Sequence, residues 1–392
     1  MHRRALLAAL GAGTGASFAG CQSLHRGDGR SAPECPSTTA VRATYRVDGT
    51  RRNETVERFR PTAEVETEPW GTPNDEDVLG INAPPAVDGE RLYVPRVGSV
   101  EARRAGSGSL DWRTSLDGDL HTVPALGCGS VFVATTAATY RLRASDGSVA
   151  WKRDADSDFA LDASPIAVEE TLFTTGSGIG LVAFAPDGDT RWEATFDAAV
   201  SGFAVSDAVY VALDAHDGDG NGGLVALDPA DGTRRWRYDG GKPGRGPVVG
   251  ARGVYIVGAY GRLSALDADG EVRWERTFDR SPAAPPTPAH GTLYVDAGDG
   301  EECRALDPET GERRWTVRTG STTCGMLATP EHVLATGADS GLHVLDPDDG
   351  TRLRSYPSVR FAERGLLVSN GSVYVRPSSG TELYRCFPTD SA

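Results

Sequence analysis

Lysine is almost missing from this chain. Of forty basic residues only Lys152 and Lys242 are lysines, and the rest are arginines. Positive charge is itself in deficit, since fifty-five acidic residues leave a net charge of −15, which argues against nucleic acid as a partner. The six cysteines include no adjacent pair and no C-x-x-C, so neither a zinc knuckle nor a thioredoxin-like centre is indicated. The seven histidines (His2, His25, His121, His216, His290, His332 and His343) are scattered, without a repeated histidine-plus-carboxylate cluster. No segment sustains a helical period, which leaves strands and turns as the building material.

What is present begins with an export signal. Arg3-Arg4 is followed by apolar Ala5 to Leu10 and by small residues ending Phe18-Ala19-Gly20-Cys21. The apolar run is too short to span a bilayer as a helix. It resembles a twin-arginine signal joined to a lipobox, which makes Cys21 the lipid-modified first residue of the mature chain. Phe18 stands where a lipobox usually carries leucine, and a plain secretory signal is the alternative. The expected organisation is a signal over 1–20, a polar, glycine-rich tether over 21–40, an N-terminal arm over 41–70 and a repeat domain over 71–388. The expected location is the outer face of the cytoplasmic membrane. The acidic, lysine-poor balance resembles proteins of salt-loving archaea, whose carboxylates keep the surface hydrated in brine. At molar salt the Debye length is roughly 3 Å, and long-range charge steering is nearly abolished.

The dominant signal is a period near forty. Gly108/Trp112, Gly147/Trp151, Gly188/Trp192, Gly232/Trp236, Gly270/Trp274 and Gly311/Trp315 each place a tryptophan four residues after a glycine. Successive glycines lie 39, 41, 44, 38 and 41 residues apart, and a seventh, Gly350, follows 39 residues later with Arg354 in the tryptophan's place. Such a period marks a repeat architecture. Each unit reads as four short strands, clearest in Pro247-Val248-Val249, Val254-Tyr255-Ile256-Val257, Leu263 to Asp267 and Val272-Arg273-Trp274, the signature of a β-propeller blade. In Ala226-Leu227-Asp228-Pro229-Ala230-Asp231-Gly232, Asp228 bonds the backbone two residues on, Pro229 presets a turn and Gly232 accepts positive φ. Each tryptophan is expected on the outermost strand, flat against the neighbouring blade.

The phrase A-L-D-x-x-T/D-G-x-x-x-W resembles the tryptophan-docking repeat of the PQQ-dependent alcohol dehydrogenases, and equally that of the BamB-type assembly lipoproteins. The resemblance covers about residues 70 to 388 and implies an all-β, eight-bladed propeller. The chain ends supply the eighth blade: Leu366 to Val368, Ser372 to Val375 and Leu383 to Cys386 are three strands, and Ala63 to Trp70 is the fourth. Pairing the first and last strands removes exposed edges. Seven blades with Trp70 in a loose arm is the alternative. Trp70, Trp112, Trp151, Trp192, Trp236, Trp274 and Trp315 are therefore docking residues.

The two resemblances imply different chemistry. The quinoproteins stack their cofactor beneath a disulfide of adjacent cysteines and hold Ca²⁺ with acidic and amide side chains. This chain has no such cysteine pair, so no catalytic or cofactor-binding residue is assigned. A monomeric, lipid-anchored protein-binding scaffold is the expected function, with a PQQ-dependent dehydrogenase as the alternative. One segment has metal-ligand spacing: Asp217-x-Asp219-x-Asn221-Gly222 reads as a structural calcium loop, with Asp228 at position twelve, or as a solvated acidic hairpin. Gly176 to Gly180 leads into a strand and reads as a hairpin. Asn53-Glu54-Thr55 and Asn370-Gly371-Ser372 are glycosylation sequons. With Cys21 lipidated, five cysteines remain. Cys303 with Cys324 is the expected disulfide, Cys35 with Cys386 the next, and Cys128 the free thiol; all five reduced is the alternative.

Overall fold

The computed structural model describes residues 58–388 apart from 63, 71–82, 156–162, 177–179, 215–221, 241–242, 244–245, 283, 298–300, 321–325, 338–340, 360–365 and 376–382. All of these described residues belong to one compact unit, 35–392. They form eight four-stranded antiparallel sheets in a ring, an eight-bladed propeller. In each blade we call the strands A to D from the channel outward. Blade five shows the plan: Val248–Gly250, Gly253–Val257, Arg262–Leu266 and Val272–Thr277 pair in that order. Strands B and C read as continuous apolar runs because both of their faces are covered by neighbouring blades, as in Val209–Asp214 and Gly223–Leu227.

The ring closes as expected. Strand D of blade eight is Val65–Trp70, taken from the N-terminal arm, and it pairs with Leu383–Pro388 from Val65↔Pro388 to Trp70↔Leu383. The seven-blade alternative is therefore not realised.

The glycine and tryptophan of one repeat do not touch each other. Each tryptophan donates its indole N–H to the C–D turn of the next blade: Trp112 to Ala144 O, Trp192 to Pro229 O, Trp274 to Pro308 O and Trp315 to Pro347 O, all at 3.0–3.1 Å. Its ring then lies over that turn's glycine. A Cβ on Gly311 would stand 2.7 Å from Trp274 Cδ2, and one on Gly147 2.5 Å from Trp112 Cε3. These glycines also hold φ near +70°, at +69° for Gly311 and +72° for Gly147, so two independent constraints exclude a side chain. Within its own blade each ring leans on an aromatic of strand B, as Trp315 does on Tyr294 with centroids 5.7 Å apart.

That contact explains why Arg354 replaces the expected eighth tryptophan. Strands C and D of blade eight come from opposite ends of the chain, so blade eight has no C–D turn for blade seven to dock on. The arm fills the seam instead. Phe59 is 1% exposed within a cluster that includes Leu327, Leu342, Tyr356 and Val368, and its ring meets Tyr356 edge-on at 6.4 Å.

In blades one to seven a bulge in strand D precedes the tryptophan-like position; in blade six Trp315 faces Ala305 while Arg313 faces Leu306, which leaves Arg314 unpaired in the ladder. The bulged Arg314 reaches back to Asp307 of the turn at 2.8 Å, and Arg235 does the same to Asp228 at 2.9 Å. Blade one carries the pair inverted, with Arg104 on the turn and Asp111 in the bulge, 2.9 Å apart.

The cysteines depart from expectation. Cys303 is a buried thiol with Sγ 3.4 Å from Thr319 Oγ1, so it makes no disulfide with Cys324, which lies outside the described residues. Cys386 is likewise a thiol, its pKa pushed up to about 11 by burial, and the Cys35–Cys386 bridge is absent. Cys128, the expected free thiol, is disulfide-bonded.

Candidate interaction face

Turns A–B and C–D gather at one end of the ring, and the B–C and D–A connections gather at the other. The proposed calcium loop, with Asp217, Asp219 and Asn221, lies outside the described residues. Asp228 belongs to the first end, and strand C of blade four, Gly223–Leu227, precedes it with five extended residues, about 17 Å at ~3.3 Å per residue. Asp228 is also fully engaged: Oδ1 accepts the Ala230 N–H at 2.9 Å and Oδ2 accepts Arg235. The hydrogen bonds from Ala230 and then Arg235 hold its carboxyl below the usual range. It is a turn residue and not the twelfth ligand.

Among the described residues at the B–C end, several buried polar groups are threonine hydroxyls. Thr135 donates to Asp117 O at 2.6 Å, while Thr174, Thr175 and Thr336 are buried with no partner atom among the described residues. The carboxylates there, Asp214 and Asp296, end strand B of blades four and six and so stand two blades apart. Among the described residues no three His, Cys, Asp or Glu side chains converge on a metal position. With no adjacent cysteines in the sequence to cover a quinone, the donors among the described residues do not fit PQQ and its calcium.

The strongest electrostatic feature is structural. Glu101, fully buried in blade one, accepts Arg103 Nε at 2.7 Å and Arg113 Nε at 2.8 Å, with Arg96 Nε at 3.4 Å. Burial works to raise its pKa, but the Arg103, Arg96 and Arg113 guanidiniums hold it below the ordinary value. Arg103 occupies the strand position that leucine fills in Leu227, Leu266 and Leu306, so the ion cluster replaces an apolar contact and adds no site.

One loop is different. Five non-glycine residues have positive φ among the described residues, and four of them (Cys128, Glu169, His290, Asn370) begin two-residue A–B hairpins, where such a φ is required. The fifth is Tyr260, at φ 60° and ψ 30° in the B–C connection of blade five, with its side chain 92% exposed. A bulky residue in this conformation is an outlier held by its surroundings. Those surroundings are rigid. Gly258 N donates to Arg262 O at 2.7 Å and bridges to Pro243 of the blade four to five connection. Gly261 N donates to Ser281 Oγ at 2.9 Å and Gly261 O accepts Phe278 N at 2.9 Å. A Cβ at Gly261 would stand 2.3 Å from Phe278 O, so only glycine allows this approach.

The Arg280 backbone packs against this loop, its O 3.0 Å from where a Gly261 Cβ would stand, and Arg280 is exposed and without an ion pair among the described residues. The bordering acids Asp239 and Glu275 are engaged, by Arg237 at 2.6 Å and by Ser264 at 2.8 Å, while exposed Asp279 directly precedes Arg280. From Gly240 to Leu266 the chain has no acidic residue at all, in a protein with fifty-five. The result is a preorganised aromatic and cationic projection on an otherwise acidic molecule. Sequence reading missed it because Tyr260 sits in an ordinary Gly-Ala-Tyr-Gly turn; the glycines on both sides were the available signal.

Comparison with known proteins supports this fold and places the chain. A family model described as "Outer membrane protein assembly factor BamB" matches residues 52–211 and 220–385. The BamB of Burkholderia pseudomallei is 33% identical over 116 residues, 29% of this chain and 29% of that protein. The BamB of Kangiella koreensis is 36% identical over 134 residues, 32% of this chain and 33% of that protein. The aligned stretch thus spans about a third or less of these relatives. Among solved structures, BamB from Moraxella catarrhalis superposes with a TM-score of 0.62 at 16% identity, covering 84% of this chain and 99% of that one. A quinohemoprotein alcohol dehydrogenase from Comamonas testosteroni reaches 0.67 at 15% identity, covering 89% and 82%. At these identities the structures speak to the fold alone, shared by binding proteins and enzymes alike. The family model spans most of the chain and every blade, and on that ground this protein belongs to the BamB family of eight-bladed propellers.

Proposed function

We propose that this protein is a non-catalytic scaffold of the cell envelope that docks a protein partner through the loop face of blade five. Tyr260 carries the reading. A strained, nearly fully exposed aromatic on a rigid loop is costly for a monomer. It suits an anchor that enters a pocket on a partner with little ordering cost. Arg280 beside it favours a partner whose pocket is rimmed by carboxylates. Membership of a family named for assembly supports a protein-binding role. The alternative, a quinone-dependent dehydrogenase, shares the fold, but the chain has no adjacent cysteines to cover a quinone. Quinone absorbance on loading with PQQ and Ca²⁺ would restore that alternative.

Copurification from native membranes at native salt tests the docking face. Tyr260→Ala is expected to weaken capture of the wild-type partner by about thirtyfold, the ~2 kcal/mol of an interface hot spot. Arg280→Glu is expected to weaken it in the same direction. Undiminished capture by both variants would move the interface elsewhere on the ring.

We also propose that the protein is exported and held at the outer face of the cytoplasmic membrane by a lipid on Cys21. One acyl anchor binds only marginally, so a two-chain lipid modification is implied for stable attachment. Cys21→Ser is expected to shift the protein from membrane to medium, or to stop its maturation, on fractionation and mobility analysis. A variant that stays membrane-bound with unchanged mobility would contradict the anchor.

A further inference from the structure

We propose that the disulfide of Cys128 runs to Cys35, and that this bridge fastens the membrane tether to the A–B end of the ring, with the Tyr260 face pointing away from the membrane. The orientation rests on the lipid anchor proposed above, whereas the bridge follows from the cysteines themselves. Cys128 is disulfide-bonded, so its partner is another cysteine of the chain. Cys303 and Cys386 are buried thiols and drop out. Cys324 is two residues from Met326, which opens strand A of blade seven at the B–C and D–A end. Cys128 is in the A–B hairpin of blade two, at the other end of the ring and with blades eight and one between. Bridged residues keep their Cα atoms within about 7 Å, which puts Cys324 out of reach. Cys21 and Cys35 remain, and Cys35 opens the same compact unit that holds the ring, 35–392. The lipid reading excludes Cys21 a second time, since its sulfur would be alkylated.

The hairpin suits a fastening point. Cys128 is half-buried at φ +50°, in a two-residue turn whose strands are paired from Ala125↔Phe132 to Gly127↔Ser130. Its Sγ rests 3.2 Å from Glu169 O, in the A–B hairpin of blade three, so the sulfur is lodged between two rigid hairpins. The N-terminal arm reaches the ring from the same end. Arg58 pairs with Glu331 of the A–B turn of blade seven at 3.1 Å, and Val65 then enters the ladder opposite Pro388. From Cys35 to Arg58 the chain can extend ~80 Å at ~3.5 Å per residue, ample to join these points.

The bridge shortens the leash. Without it the first point fixed to the ring is Arg58, up to ~130 Å of extended chain from Cys21. With it the first fixed point is Cys35, at most ~50 Å from Cys21. Both attachments lie at the A–B and C–D end, so that end is held toward the lipid. The opposite end, which carries Tyr260, is left open to a partner. As the S–S bond forms, the two thiols give up two protons and two electrons. A protein disulfide outside the membrane accepts them and becomes a dithiol. Export beyond the cytosolic reductants preserves the bond.

Peptide mapping of the full-length protein from native membranes tests the bridge, with thiols alkylated under denaturing conditions and no reductant. A Cys35–Cys128 cross-linked peptide is expected, with Cys303, Cys324 and Cys386 alkylated. Alkylated Cys128, or Cys128 linked to any other cysteine, overturns the bridge. Orientation is read in vesicles of the native lipids at native salt, as energy transfer to a lipid-borne dye from a donor attached at position 110 or 260 through an azide-bearing phenylalanine analogue. These positions lie at opposite ends, about one strand or ~17 Å apart in height, so transfer from 110 is expected to exceed that from 260 about twofold or more. Cys35→Ser, outside the ring, is expected to remove the difference. Equal wild-type transfer, or more from 260, overturns the orientation. A difference that survives Cys35→Ser overturns the bridge's part in it. No transfer from either position overturns the lipid anchor and the orientation together, while the peptide map still decides the bridge.

Discussion

A chain that begins at residue 71 is expected to lose the folded monomeric ring, whereas one that begins at residue 58 keeps it. The shorter chain lacks strand D of blade eight, six ladder pairs from Val65↔Pro388 to Trp70↔Leu383. It also lacks Trp70, whose indole donates to Ala105 O at 2.7 Å, and Phe59 in the neighbouring seam. Losing a large buried aromatic costs about 3–5 kcal/mol. Two such losses amount to most of the ~5–15 kcal/mol that holds a typical domain together. The bare edge of Leu383–Pro388 is then a template for pairing with other chains. Size-exclusion chromatography and thermal unfolding check the result: aggregation or loss of the cooperative transition is expected. A stable monomer starting at residue 71 would contradict closure by the arm.

The second large effect is at a glycine. Gly311→Ala is expected to cost about 2–5 kcal/mol, from ~1–2 for left-handed backbone with a Cβ and ~1–3 for overpacking against Trp274. Trp274→Ala alone is expected to cost about 3–5 kcal/mol. The two are coupled. Once the indole is gone the alanine has room, and Gly311→Ala should then cost only its backbone share. Denaturant unfolding of the double-mutant cycle measures the coupling. Strict additivity would show that the ring and the glycine do not meet.

The blades were legible in the sequence because the docking contact is local in its requirements. A glycine with positive φ and a tryptophan four residues later recur in six consecutive units, so the period shows even though each pair belongs to two different contacts. The exchange of chain ends at blade eight was legible too, since three leftover strands need a fourth. The consequence of that exchange was not. Arg354 reads as a lapse in the pattern until the missing C–D turn explains it, and Phe59 carries no motif. Asp228 was misread because loop spacing counts residues, whereas an intervening extended strand carries the twelfth position to the far end of the blade. The cysteine pairing was not legible either: Cys303 packs in one cluster with Met326 and Ala328 of the next blade's strand A yet stays a thiol, so nearness of two elements does not by itself pair their cysteines. Tyr260 was invisible because its meaning lies in a backbone dihedral and an exposure, neither of which its neighbours in the sequence dictate.

The claim that blade five docks a protein partner is tested most directly by photo-crosslinking in native envelopes, with a photoreactive phenylalanine analogue placed at position 260 or at position 110. Leu110 is 44% exposed on an outer strand at the C–D turn end, which makes it an apolar surface control. A discrete protein adduct from position 260 and none from position 110 is the predicted result. Adducts of equal yield from both positions, or from position 110 alone, would contradict it.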